Sequence, residues 1–236
     1  MPTKNPTLKN SIVGTTSPTF AGVRDATSGT VTSTTAPGGG VLTAHPSAIK
    51  YSKVAGARGD TFDITRFFIE FDTSDISVTP ADATLSIHGD TNSSADFFAV
   101  KATFSDGSLA SGDFDAIDGW SAGADNSSNV TKYSSEVTSW STSGYNNITL
   151  TSDALSDMAS EDNFKICLIQ SDNDLANVEA TTVVQTGIDL INQIRLTYTE
   201  GSTGYSHNVS GVASANIAGV NGVATANIAS VNGVDT

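Results

Sequence analysis

The chain has 236 residues, 11 of them basic and 25 acidic, for a net charge of −14 and a sequence pI near 4.2. Only 15% of the residues are charged and 38% are apolar, while Ser and Thr make up about a quarter and Gly adds 21 more. This mixture starves helices, suits strands joined by polar turns, and excludes a helical bundle. The basic residues are scattered singly, so no surface is set up to displace counterions from phosphates or to attract anionic lipid. Neither nucleic acid nor membrane is an expected partner.

Residues 1–60 are rich in Thr, Ser, Gly and Pro, with short apolar pieces such as Ser11-Ile12-Val13 and Val41-Leu42. They read as short strands and long loops that join the main fold. The opening residues lack the apolar core of a secretory signal, and no run approaches the roughly 18–20 apolar residues of a membrane span. The expectation is a protein made in a cytoplasm and needing no N-terminal signal. Arg58-Gly59-Asp60 spells an adhesion tripeptide, but before Thr61-Phe62-Asp63-Ile64 it reads as a turn.

Residues 61–200 carry the clearest strand signals. Phe67, Ile69 and Phe71 share one face of a strand and Arg66 and Glu70 the other. Leu85 and Ile87 alternate inward, as do Ile148 and Leu150, and Ile194, Leu196 and Tyr198. Phe97 to Val100 and Lys165 to Ile169 are apolar on both faces, as expected of central strands. The only cysteine, Cys167, lies in that second run and reads as a small core residue. Short helices are predicted around 133–140 and over 152–158, the second capped by Ser152. Many short strands with polar turns predict an all-β fold, an antiparallel β-sandwich of jelly-roll type.

Residues 201–236 differ in kind. From Val209, from Val220 and, truncated, from Val231, the chain repeats every 11 residues. An 11-residue period also fits a right-handed helical supercoil, but each unit holds Gly and Asn and none of the good helix formers Leu, Glu or Lys. Val-Asn-Gly-Val is instead a tight-turn signal, so each unit reads as a turn plus a short strand, in a hairpin ribbon or a narrow solenoid. A ribbon that exposes Val212, Ile217, Val220, Val223, Ile228 and Val231 cannot bury a core alone, so copies of itself or a partner surface would cover it. The competing reading is a linker carrying a degenerate repeat.

No catalytic residue stands out, because HExxH, GxSxG, GxGxxG and P-loop patterns are all lacking. His45, His88 and His207 have no metal-ligand spacing, and His88, before Gly89-Asp90, reads as a surface turn. Asp113, Asp115 and Asp118 are the candidate ligands of a structural Ca²⁺, against the plainer reading of solvated turn carboxylates. Trp120, Trp140 and Tyr145 are candidate platforms for stacking on sugar rings, while core or loop plugs are the alternative for both Trp residues.

The residues from Arg66-Phe67-Phe68-Ile69-Glu70-Phe71-Asp72 through Ala83-Thr84-Leu85, with Gly112-Asp113-Phe114-Asp115-Ala116-Ile117-Asp118-Gly119-Trp120 and Tyr145 to Leu150, resemble virion-associated β-sandwich proteins of tailed bacteriophages, those of marine and cyanobacterial hosts above all. The tail unit Val-Asn-Gly-Val-Ala-Thr-Ala-Asn-Ile-Ala-Ser is similar to repeats near the ends of such proteins. The resemblance implies a non-enzymatic virion protein, a capsid decoration or a component of a fibre or tail appendage. Its partners would be itself, as a homo-oligomer such as a trimer, other virion proteins and host-surface glycans. The same opening motif is similar to extracellular jelly-roll modules, which implies the alternative, a carbohydrate-binding module of a bacterial surface or secreted protein. A glycan-active enzyme is a third and weaker class.

Overall fold

The computed structural model describes residues 1–32, 47–57, 59–92, 94, 96–181, 183–189 and 194–201, with the pairing of four short stretches of the tail. In chain order the elements are β1 (Thr3–Lys4), β2 (Leu8–Gly14), α1 (Phe20–Arg24), β3 (Gly29–Thr32), β4 (Ser47–Val54), β5 (Thr61–Asp72), β6 (Asp82–Asn92) and β7 (Phe97–Lys101). After a long loop-rich stretch come β8 (Tyr145–Thr149), α2 (Ser152–Ser160), β9 (Asn163–Gln170), β10 (Val184–Ile188) and β11 (Arg195–Thr199). These 11 strands form one antiparallel hydrogen-bonded sheet, so the fold is all-β.

Two strands organise the sheet. The alternating apolar residues of β5 let it pair with β2 along one edge, and with β4 and then β9 along the other. Beyond β9 lies β7, and beyond β2 lies β3. β6 pairs with β11 and β8 through its first half, then with β10 near its end. A Cβ on Gly89, where β6 changes partners, would lie 1.9 Å from the Ser141 carbonyl oxygen, so only glycine lets the Trp140–Ser141 backbone approach so closely.

The period-2 pattern of β5 splits its side chains between two apolar clusters. Phe67, Ile69 and Phe71 join Leu85, Ile87, Ile148, Leu150, Ile166, Leu168 and Leu196 in the first. Phe62, Ile64 and Phe68 join Ile12, Val23, Phe104, Phe114, Cys167 and Ile169 in the second. Burying each such large side chain contributes about 1.5–3 kcal/mol. The central strands are therefore covered on both faces, and the second cover comes partly from the loop residues Phe104, Phe114, Ile117 and Val130. Cys167 is wholly buried there, and burial pushes its thiol well above the ordinary value. Among the described residues no helix is long and apolar enough to cross a membrane.

Three local expectations change. The stretch 133–140 is extended, because Tyr133 and Val137 donate their backbone N–H to Ala99 and Phe97 of β7 at 2.8 and 2.9 Å. Tyr133, Val137 and Trp140 all turn inward, and their spacing of four and three imitates a helical face. The second helix forms, but Thr151 caps it, accepting from the Ala154 N–H. His88 lies within β6, its ring edge-on to Tyr145 at 5.3 Å and its Nδ1 3.3 Å from an Asp189 carboxylate oxygen.

Candidate functional site

A heavily bonded polar cluster around Arg24, Arg66 and Asp174 is buried. Gln170, at the end of β9, accepts through its side-chain oxygen from the N–H groups of Asn173 and Asp174, holding a single π turn over Ser171–Leu175. That turn carries the Asp174 carboxylate to Arg66 of β5, which donates to both of its oxygens at 2.7 and 2.8 Å. Arg66 also donates to the carbonyls of Phe114 and Arg24. Arg24, at the end of α1, donates to the carbonyls of Asp174 and Ala124 and to the Asp25 carboxylate. Burial pulls the Arg24 guanidinium below its ordinary value, and the carboxylates of Asp174 and Asp25 oppose that. Phe114 and Trp120 lie against the Arg66 guanidinium at 4.2 and 4.1 Å from their ring centroids. Arg66, set among the apolar residues of the second cluster, thus clamps the covering loops to β5. Glu70 does the same nearby, accepting from the Gly107 N–H and the Thr7 hydroxyl.

The sequence-based site residues fall in different places. Asp113 accepts from the Ala110 N–H and Asp118 from the Thr131 hydroxyl, each at 2.7 Å. Among the described residues no three His, Cys, Asp or Glu side chains converge to hold a metal ion, so Asp113, Asp115 and Asp118 do not form the expected Ca²⁺ set. Trp140 is 8% exposed, packs edge-on to Phe97 and donates to the Gly187 carbonyl at 3.1 Å. Trp120 is half-buried, with Arg24 and Arg66 guanidinium groups over its ring. Neither indole is free to stack on a sugar, because each is engaged as a plug. Tyr145 is 36% exposed, held by the Arg195 guanidinium at 4.8 Å from its ring centroid and by the edge of His88.

Tyr145 stands beside an open slot of about 510 Å³ between residues 135–139 and 145–149. Both ends of the slot are tied. At one end Ser134 bridges to Leu150 and the Thr151 N–H donates to the Tyr133 carbonyl at 2.9 Å. At the other the Asn146 side chain accepts from the Ser141 N–H at 2.7 Å and donates back to the Ser141 carbonyl at 3.0 Å. The Leu150 N–H donates to Ala83, and Gly144 accepts from Gly89, so even-numbered positions of this strand face β6. By the alternation of an antiparallel ladder, the N–H and C=O of Tyr145 and Asn147 face the slot. Asn147 accepts from the Ser86 hydroxyl through its side-chain oxygen, and its amide nitrogen adds a donor. Glu136 is the one charged residue of the lining. Nothing in the sequence singled out Glu136 or Asn147, because the slot exists only where two neighbouring stretches, tied at 134/150 and 141/146, fail to zip together between the ties.

In the tail, Gly219–Val220 pairs antiparallel with Val223–Ala224, and Ser230–Val231 with Val234–Asp235. Val220 thus stands opposite Val223, and Val231 opposite Val234, so the two hairpins repeat one register 11 residues apart. Among the described residues each pair forms a two-stranded sheet of its own, separate from the 11-stranded one. Val212, Ile217 and Ile228 lie outside the described residues, as does the turn type between the paired valines. No family model matches the chain, and no curated protein matches it.

Proposed function

We propose that the chain is a non-enzymatic structural protein of a virion, a capsid decoration or a fibre or tail-appendage component. Its body is a jelly-roll-like sandwich facing outward, and its C-terminal repeats mediate oligomerisation or docking. The pairing of the repeats carries the assembly part of this reading. Two-stranded ribbons of so few residues are not stable in water alone, so they need a further surface to pack on. The virion setting rests on the sequence resemblance. A charge of −14 supports an outer face better than a nucleic-acid-lined interior. The buried charges Arg24, Arg66 and Asp174 are spent on one another and on backbone carbonyls, which is a structural use.

Deleting residues 209–236 and measuring the mass in solution tests the assembly role. The full chain is expected as an oligomer and the truncated chain as a monomer that no longer binds particles. An unchanged mass together with unchanged particle binding overturns the proposal.

A further inference from the structure

We infer that the slot beside Tyr145 is a binding site for a neutral carbohydrate. The inference is independent of the tail, since the described residues that line the slot all lie in 135–149, and either reading can fail without the other. Its support is the chemistry of the lining. Ser135, Thr138, Asn147 and Thr149 offer hydroxyl and amide groups that both donate and accept, as vicinal sugar hydroxyls require. The backbone groups of Tyr145 and Asn147 add donors and acceptors whose positions the ladder to β6 holds fixed. At the rim Tyr145 is 36% exposed, with the Arg195 guanidinium over its ring and the His88 ring at right angles to it, and only the part of the ring they leave uncovered can meet the C–H face of a sugar. A volume of about 510 Å³ lies within the range of small-molecule sites.

Other ligand classes fit less well. Glu136 is the one charged residue among the described lining, and the cation at the rim, Arg195, lies over the Tyr145 ring rather than in the slot. Asp96 and Glu136 also act together on Asp172, whose carboxyl is pushed up first by burial and then by these two charges, so the field nearby is negative. The lining is too polar for a lipid chain. An added β-strand would need an edge open at its ends, and both ends here are tied, at 134/150 and at 141/146.

The test uses the full chain on an array of neutral hexose and N-acetylhexosamine oligosaccharides, with sialylated and sulfated glycans alongside. Saturable binding to at least one neutral glycan is expected, with slowed hydrogen exchange at the Tyr145 and Asn147 amides. Tyr145→Ala and Asn147→Ala should each weaken binding about tenfold while leaving Tm unchanged. Having two variants keeps the result readable if one of them unfolds. Absence of neutral-glycan binding by the folded protein, preference for the charged glycans, or binding that survives both substitutions overturns the inference. So does protection of the same amides by an extended eight-residue Val-Thr peptide with none by sugar.

Discussion

Residues 102–130 and residues 134–150 both lay polar loops along buried strands, and they differ in where their hydrogen-bonding groups point. In the first, Arg66 reaches out of the sheet and takes the Phe114 carbonyl, while Arg24 takes that of Ala124. In the second, Asn146 closes one end and the Ser134–Leu150 bridge the other, and the groups between face an opening. A buried polar group costs heavily unless it is paired, so the first loop is locked by its own bonds. The second stays open because its walls are exposed and water can serve them. The contrast separates polar residues that hold the fold from polar residues left to meet something else.

The largest expected effect breaks the locked region. Arg66→Met leaves the Asp174 carboxylate buried without its partner and should cost about 3–5 kcal/mol in urea unfolding. Replacing both, as Arg66→Met with Asp174→Leu, should recover only part of that loss, because the carbonyls of Phe114 and Arg24 still lose their donor. A loss below about 1 kcal/mol for Arg66→Met would show that the clamp is not what holds the loops.

A smaller effect belongs to the open region. Asn146→Ala removes the tie at one end of the slot and should cost about 1–2 kcal/mol. Hydrogen exchange at the Ser141 amide should quicken in the same variant, and an unchanged rate there would mean the slot end is held by something other than Asn146.

The smallest effect lies at the surface. The hydrogen bond and charge of Lys165 hold the Asp106 carboxyl below its usual range. A depressed carboxyl stabilises the fold above its unfolded pKa of about 4, and the contribution fades as pH falls through the folded value. Asp106→Asn should therefore lower stability slightly near neutrality, a loss that vanishes as pH falls below the folded value, so the acid limb of the stability curve flattens. An effect near neutral pH approaching that of Arg66→Met would erase the distinction between locked and exposed charges.

Most strands were legible in the sequence, because alternation depends only on which face a side chain takes. Phe67, Ile69 and Phe71 share one cluster as their spacing predicts, and Leu85 and Ile87 point inward with them. The pairing of Val220 with Val223 likewise follows from Val-Asn-Gly-Val. Segment 133–140 is extended although Tyr133, Val137 and Trp140 carry helical spacing, because the edge of β7 offers backbone partners that a lone helix does not match. Of the three aromatics proposed for sugar stacking, only Tyr145 has the exposure for it. The two indoles were indistinguishable from it in sequence, since all three sit among Ser, Gly and Asn.

By itself the sequence determined the all-β class, the positions of most strands, the acidic surface and the register of the repeated hairpins. These follow from composition and local period, which act between residues close in the chain. Only the tertiary structure decided that Arg66 and Glu70 are buried anchors rather than a solvated face. It also brought Asp174 to Arg66 across 108 positions and left a slot between 135–139 and 145–149. Those outcomes depend on which polar groups find partners in three dimensions and which do not, a matter of desolvation and geometry that alternation and composition do not encode.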